Sequence, residues 1–284
     1  MPTSDRQAEL DALFALLQRE YGAGRLAEAA AVCRRILALR PDIADVHNCL
    51  GIILAQQGQL DLALAPLEQA IAVSPDFAEA HNNLGNVLLG LGKLDTAAAR
   101  YQKALDLRPD YAEAHNNLGN VLRNQRKLDE AAARFERALA LRPDYAEAHN
   151  NLGDILREQG QLDLAVARFE QAIALRPDYA EALTNLGNAL LSRGQLDEAA
   201  ARYEQALALR PDLAEAHNNL GNLLLGQGKL DQAAICYHKA IALRPDYADA
   251  HNHLGNALLS QGKLDEAAAR YEQALALRPD LAEA

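Results

Sequence analysis

The sequence contains no tryptophan, one methionine and few aromatic residues, which make up 5% of its 284 residues. It also lacks an excess of positive charge, because 28 lysines and arginines stand against 39 aspartates and glutamates and the formal net charge is −11. Binding to nucleic acid normally requires a basic surface that displaces counterions from the phosphates, and so does binding to an anionic membrane surface. The composition therefore disfavours nucleic-acid and membrane partners.

Long apolar runs and cysteine motifs are missing as well. No apolar run is long enough to span a bilayer, and the N-terminus lacks the apolar core of a signal peptide. Cys33, Cys49 and Cys236 are odd in number, and their spacing matches no metal or redox motif. We interpret them as small apolar fillers in a reducing compartment, and we expect a cytoplasmic protein that needs no metal or other cofactor.

What the sequence does contain is a repeat of 34 residues, marked by eight prolines: Pro41, Pro75, Pro109, Pro143, Pro177, Pro211, Pro245 and Pro279. Such a period indicates stacked supersecondary units rather than a single globular core. After a lead-in over 1–9, it predicts eight repeats at 10–43, 44–77, 78–111, 112–145, 146–179, 180–213, 214–247 and 248–281. Residues 282–284 would begin a truncated ninth repeat, so we expect a fragment of a longer protein, with its last helix uncapped and able to self-associate end to end.

Each repeat carries two amphipathic patterns, here numbered by taking residue 112 as position 1. In 112–145, His115, Leu118, Gly119 and Leu122 follow one helical face, and Leu128, Ala131, Phe135, Ala138 and Leu139 follow a second. Most repeats carry glycine between the two patterns, where a left-handed residue would close the first helix, but Arg126 stands there in 112–145. We expect that joint to be strained or differently closed, and Pro66 to kink its helix. We also expect Asp129 to cap the second helix, and Asp144 with Glu147 to form a capping box.

These residues resemble the tetratricopeptide repeat, because Leu118-Gly119, Ala131, Phe135, Ala138 and Pro143 fall where that family has Leu-Gly, Ala, an aromatic residue, Ala and Pro. The resemblance covers 10–281, with 10–43 the most divergent repeat. It implies an all-α solenoid of helix-turn-helix units that form a right-handed superhelix. The first helices would line its concave groove.

Asparagine dominates the predicted groove face of the first helices, although it is a mediocre helix former. This series resembles the asparagine ladder in the repeat domain of O-linked N-acetylglucosamine transferases and their bacterial relatives, which holds extended substrate polypeptide. The residues carried over lie at positions 6 and 9, with two groove cations at position 12: Asn83, Asn86, Asn117, Asn120, Asn151, Asp154, Asn185, Asn188, Asn219, Asn222, Asn256, Arg123 and Arg157. The alternative is a solvated polar face copied by duplication.

Histidine recurs at position 4, yet equivalent helices should lie about 8–10 Å apart, too far for a shared zinc ion. We interpret these histidines as core residues. Glu79, Glu113 and their equivalents should cap helices and make the groove edge acidic. We see no nucleophile–base pair, phosphate loop or metal set, so we expect no enzyme activity in 1–284.

The sequence therefore predicts a non-catalytic scaffold that binds a protein or peptide partner in extended conformation. Two alternatives stay open. The chain could be the substrate-recruiting domain of a larger transferase of the glycosyltransferase type, or it could be a self-assembling scaffold.

Overall fold

The computed structural model describes residues 3–279, and the side chains from residue 6 onward. The chain divides into two compact units, Met1–Pro143 and Asp144–Ala284, called here the N-terminal half and the C-terminal half. The predicted start of a ninth repeat at 282–284 lies outside the described residues. No strand occurs within residues 3–279, so the expected all-α class is confirmed.

The N-terminal half contains α1 Thr3–Gly22, α2 Leu26–Leu39, α3 Ala44–Gln56, α4 Leu60–Val73, α5 Ala78–Gly90, α6 Leu94–Leu107, α7 Ala112–Asn124 and α8 Leu128–Leu141. The C-terminal half contains α9 Ala146–Glu158, α10 Leu162–Leu175, α11 Ala180–Ser192, α12 Leu196–Leu209, α13 Ala214–Gly226, α14 Leu230–Leu243, α15 Ala248–Ser260 and α16 Leu264–Leu277. None of these helices is both long and apolar enough to cross a bilayer. From α3 onward, a first helix of 13 residues alternates with a second helix of 14.

Within each half, every first helix packs against the second helix of its own repeat, as α5 does on α6 and α13 does on α14. The second helix then packs against the first helix of the next repeat, as α6 does on α7. Contacts between elements thus link neighbours along the chain, which is how a solenoid buries its apolar surface. The first repeat departs from this regularity, because α1 begins at Thr3 and runs for 20 residues.

The tight turns between paired helices use the left-handed residue that the sequence predicts. Gly58, Gly92 and Gly160 all have φ near +75°. Arg126 takes the same conformation with φ of +61°, and it is the one non-glycine residue with positive φ in the described chain. A side chain in this region costs about 1–2 kcal/mol, so the expected strain at this joint is confirmed.

The helix starts differ from the expectation. The residue at the N-cap of α8 is Lys127 and that of α9 is Tyr145, and neither makes a side-chain capping hydrogen bond. Asp129 lies inside the first turn of α8 rather than at its cap, and Asp144 precedes the cap of α9. The predicted cap and capping box are therefore wrong, because each helix starts one or two residues away from the acidic residue that was to cap it.

The paired helices approach most closely at the glycine of position 8. A Cβ on Gly119 would lie 2.7 Å from the Phe135 ring, and one on Gly85 would lie 2.6 Å from the Tyr101 ring. Phe135 and Tyr101 are fully buried by this contact. Pro66 lies inside α4, and the helix continues through it to Val73.

Candidate functional site

The asparagines of the first helices differ in exposure according to their position. At position 5, Asn82, Asn116, Asn150 and Asn218 are buried, with 3–7% of their surface exposed. The residues at positions 6 and 9 keep part of their surface exposed. We call the surface formed by these two positions the amide face, and describe it for each half by itself.

The amide face holds the predicted asparagines and Asp154, and the two predicted arginines lie at position 12 of the same first helices. In the N-terminal half it contains Asn83, Asn86, Asn117 and Asn120, with Arg123 beside them at position 12. In the C-terminal half it contains Asn151, Asp154, Asn185, Asn188, Asn219, Asn222 and Asn256, with Arg157 at position 12.

A tyrosine hydroxyl from the second helix fixes the amide at position 9. Tyr101 donates its hydroxyl to Oδ1 of Asn86 at 2.8 Å, and Tyr203 donates to Oδ1 of Asn188 at 2.7 Å. Burial raises the pKa of both tyrosines, so their hydroxyls stay protonated and remain donors. The same bond recurs from Tyr237 to Asn222 and from Tyr271 to Asn256.

The amide at position 6 is tied to the repeat before it. Nδ2 of Asn83 donates to Oδ1 of Asn48 at 2.9 Å, and Nδ2 of Asn185 donates to Oδ1 of Asn150 at 3.0 Å. Nδ2 of Asn117 reaches two oxygens of the preceding repeat, on Asn82 at 3.1 Å and on Asn86 at 3.0 Å. In the last repeat His253 replaces the asparagine, and its Nδ1 lies 3.0 Å from Oδ1 of Asn218.

These hydrogen bonds determine which amide groups of the amide face remain as donors and which remain as acceptors. Position 9 presents its oxygen to the protein, as Asn86 and Asn188 show, so its N–H group is the one left for a ligand. Position 6 presents its N–H group to the protein, so the oxygen of Asn83 or Asn185 is left as an acceptor. The structure thus orients amides that the sequence could only count.

Two repeats carry phenylalanine instead of the tyrosine. Phe135 lies in the repeat of Asn120 and Phe169 in the repeat of Asp154, and neither ring carries a hydroxyl that could donate to position 9. Asp154 instead forms an ion pair with Arg157, at 3.1 Å between its Oδ1 and the arginine Nη2. The carboxylate at position 9 of this repeat is therefore paired with an arginine of its own helix.

The acidic residues at position 2 have a different role from the predicted one. Glu79 forms an ion pair with Arg108 of its own repeat at 2.7 Å, and Glu113 does the same with Arg142 at 2.6 Å. The pairing recurs in the C-terminal half, from Glu147 to Arg176, from Glu181 to Arg210 and from Asp249 to Arg278. These acids pair with an arginine of their own repeat rather than with a helix start, so the expected capping role is wrong for them, while an acidic groove edge stays a prediction.

From the third repeat onward, the histidines at position 4 are core residues, whereas His47 in the second repeat is partly exposed. His81, His115, His217 and His251 are buried, and the Nε2 of each lies 3.0–3.2 Å from the carbonyl oxygen of the proline six residues earlier. Each histidine therefore ties its first helix to the proline that precedes it. Leu183, which replaces histidine in the sixth repeat, is also buried.

One contact was missed by sequence reasoning. The thiols of Cys33 and Cys49 interact with each other, and this interaction shifts their pKa values in opposite directions. Cys33 takes the aromatic position 24 of the first repeat, and Cys49 takes the asparagine position 6 of the second. The sequence did hold a sign of this contact, because each cysteine replaces the residue type that the other repeats carry, and the two replacements fall in neighbouring repeats.

The exposed face of α16 bears on the expected self-association. This helix buries only Ala267 and Ala274 among its described residues, and Leu264 is 64% exposed. Leu275 and Leu277 are also exposed. Association through this face stays a prediction.

Comparison with sequence families shows to which family this chain belongs. Profiles described as TPR repeat match residues 51–92 and 187–228, and profiles described as tetratricopeptide repeat match 76–144, 110–178, 169–201 and 218–282. Together they run without a gap from residue 51 to residue 282. The chain belongs to the tetratricopeptide repeat family. A comparison with curated protein sequences finds no match.

Solved structures give the same TPR fold. The Cut9 and Hcn1 hetero-tetramer of the APC/C contains a chain that is 18% identical with a TM-score of 0.75, and the match covers 99% of this TPR chain but 55% of that one. YrrB, described as a TPR protein with an unusual peptide-binding site, is 29% identical with a TM-score of 0.51, over 65% of this chain and 95% of its own. MamA is 26% identical with a TM-score of 0.50, over 59% of this chain and 98% of its own.

Proposed function

We propose that this TPR protein is a non-catalytic scaffold that binds extended polypeptide along its amide face. One observation carries the proposal, namely the fixed orientation of the amides. Asn86 and Asn188 keep an N–H group for a ligand, and Asn83 and Asn185 keep an oxygen. An extended backbone offers C=O and N–H groups that match this set whatever its side chains are.

The pre-ordered amides also lower the entropic cost of binding. An asparagine that is free to rotate must be immobilised when a peptide binds, whereas Asn86 is already held by Tyr101 and Asn117. Pairing of Glu79 with Arg108 and of Glu113 with Arg142 leaves little net charge at position 2 of those two repeats, so binding there does not require a basic partner. The peptide-binding site named for YrrB supports this function within the TPR family.

The proposal is tested by changing the donor at position 9 without losing its acceptor. Replacing Asn86, Asn188 and Asn222 with aspartate keeps an oxygen for Tyr101, Tyr203 and Tyr237 but removes the N–H groups. Peptides selected on the intact chain from a displayed random library serve as probes. We expect the triple variant to bind them at least about tenfold more weakly by fluorescence anisotropy, with little change in melting temperature.

A matched control separates the loss of N–H groups from the added negative charge. Gln102, Gln205 and Gln232 lie exposed on the second helices of the same three repeats, and replacing them with glutamate adds the same charge away from the amide face. This control should bind like the parent chain. Equal affinity of the aspartate variant and the parent, or no peptide selected at all, would refute the proposed function.

A further inference from the structure

The second repeat, 44–77, has no amide at either position of the amide face, because Cys49 stands at position 6 and Ile52 at position 9, and it also lacks the aromatic residue of the second helix. Ile52 stands at position 9, where the third repeat has Asn86, and Leu67 stands at position 24, where the third repeat has Tyr101. In the third repeat the tyrosine ring passes over Gly85 and its hydroxyl reaches Asn86. The second repeat has neither the ring nor the amide of this arrangement.

Leu67 takes the position of the aromatic residue, but its side chain is shorter than a tyrosine side chain and does not fill the same space. A Cβ on Gly51 would clash with Leu67 Cγ, so this leucine occupies the place next to the glycine that Tyr101 occupies next to Gly85. Beyond it lies an open cavity of about 260 Å³ in the N-terminal half, next to Ile52 and at the edge of the amide face.

The cavity joins an apolar interior to a polar edge. Ile52, Leu60, Leu67 and Val87 provide apolar lining. The polar lining residues are Gln56 and, from the next repeat, Asn83 and Asn86. No charged side chain lines it among the described residues, so a charged group would lose its hydration there without gaining a partner. An apolar side chain loses nothing of this kind and gains by leaving water.

The two edge amides match the backbone on either side of such a side chain. Asn83 donates its N–H group to Asn48, which leaves its oxygen as an acceptor. Asn86 accepts at its oxygen from Tyr101 and Asn117, which leaves its N–H group as a donor. The cavity is smaller than most pockets for drug-sized ligands, which range from about 300 to 1,000 Å³, and a single side chain suits it better.

We propose that this cavity is a specificity pocket for one apolar side chain of an extended polypeptide, with Asn83 and Asn86 binding the adjacent peptide groups. The inference rests on the proposed function and adds a sequence requirement to it. Elsewhere on the amide face the ligand is recognised through its backbone, whereas here Leu, Ile, Met or Phe is favoured over a charged or polar residue. The second repeat therefore sets the register of the bound chain.

The test fills the pocket with the side chain that other repeats carry. Leu67→Tyr should fold, because Gly51 provides the same close approach that Gly85 offers to Tyr101. Leu62→Tyr on the same helix is the matched control, since Leu62 is 61% exposed and does not line the cavity. The probes are peptides selected on the intact chain from a displayed random library.

We expect the selected peptides to share one apolar residue at a fixed place. Leu67→Tyr should weaken their binding at least about tenfold, while Leu62→Tyr leaves it unchanged. Replacing the shared apolar residue of the peptide with aspartate should weaken its binding to the parent chain as much as Leu67→Tyr does. The same peptide change should weaken binding to the Leu67→Tyr variant little further. This non-additivity would place the peptide side chain against Leu67.

A measurement on the parent chain avoids dependence on the folding of the variant. With isoleucine δ1 methyl groups labelled for NMR, the Ile52 signal should shift when peptide is added, while that of Ile235, exposed on α14, should not. Bound peptides that lack a common apolar residue, or that leave both Ile52 and the affinity of Leu67→Tyr unchanged, overturn the pocket and leave the proposed function standing. Failure to select any peptide overturns both.

Discussion

At the residue scale, the chemistry of a side chain here depends on the repeat position that it contacts. The interaction between the two thiols lowers the pKa of Cys49 and raises the pKa of Cys33, so Cys33 is the proton donor of the pair. Cys33 is fully buried, whereas Cys49 is partly exposed. Burial raises the pKa of the third thiol, Cys236. The three cysteines are therefore not equivalent, although the sequence suggested one role for all.

The thiolate is the reactive form of cysteine, so we predict that Cys49 is alkylated first. In a time course with iodoacetamide at about pH 8, peptide mass spectrometry should show modification of Cys49 before Cys33 and Cys236. Cys33→Ala removes the donor and should slow the reaction of Cys49, whereas Cys33→Ser retains a hydroxyl donor and should preserve much of its rate. Equal rates at Cys49 and Cys236 would contradict this assignment.

The orientation of individual side chains could not be predicted from the sequence. The asparagines at positions 6 and 9 could be found by their recurrence, but the direction of each amide depends on partners such as Tyr101 and Asn48 in other helices. The cavity beside Ile52 depends on the absence of a ring at Leu67, a three-dimensional consequence of two ordinary apolar residues. Composition and spacing carry no information on either contact.

At the scale of elements, the sequence predicts the helices well because their apolar spacing is imposed by packing. The first and second helices follow the spacing of Leu118, Gly119, Phe135 and Ala138, all set by the close approach of paired helices. The caps were mispredicted because capping is a local preference worth about 1 kcal/mol, which tertiary contacts can outweigh. In this chain an ion pair such as Glu113 with Arg142 engages the acid instead.

The close contact between α7 and α8 at Gly119 leads to a prediction about stability. Gly119→Ala would place a Cβ 2.7 Å from Phe135, so the helices α7 and α8 must separate. We expect a loss of about 1–3 kcal/mol in unfolding free energy, measured by urea denaturation with far-UV circular dichroism. Gly226→Ala is the control, because a Cβ there meets no atom within 4 Å and alanine favours the helix. Equal stability of the two variants would show that α7 and α8 are not tightly packed.

At the scale of the whole molecule, the buried histidine that recurs at position 4 should make the stability of the chain depend on pH. Burial lowers the pKa of His81, His115 and His217, and arginines or lysines nearby act in the same direction. In an unfolded chain a histidine titrates near its ordinary value of about 6.5. Below that pH the unfolded chain takes up protons that the folded chain resists, so stability is present above about pH 6.5 and is lost as the pH falls.

We therefore predict that the melting temperature falls between about pH 7.5 and 5.5, a range in which ordinary carboxylates stay ionised and contribute little. The control is provided by the chain itself, since Leu183 fills the histidine position of the sixth repeat and is buried there. Replacing His81, His115 and His217 with leucine should flatten the dependence, as followed by calorimetry in buffers of equal ionic strength. A triple variant with the slope of the parent chain would show that these histidines do not cause the loss. Because each repeat depends on its neighbours for burial, a small protonation cost in several repeats should act on the array as a whole.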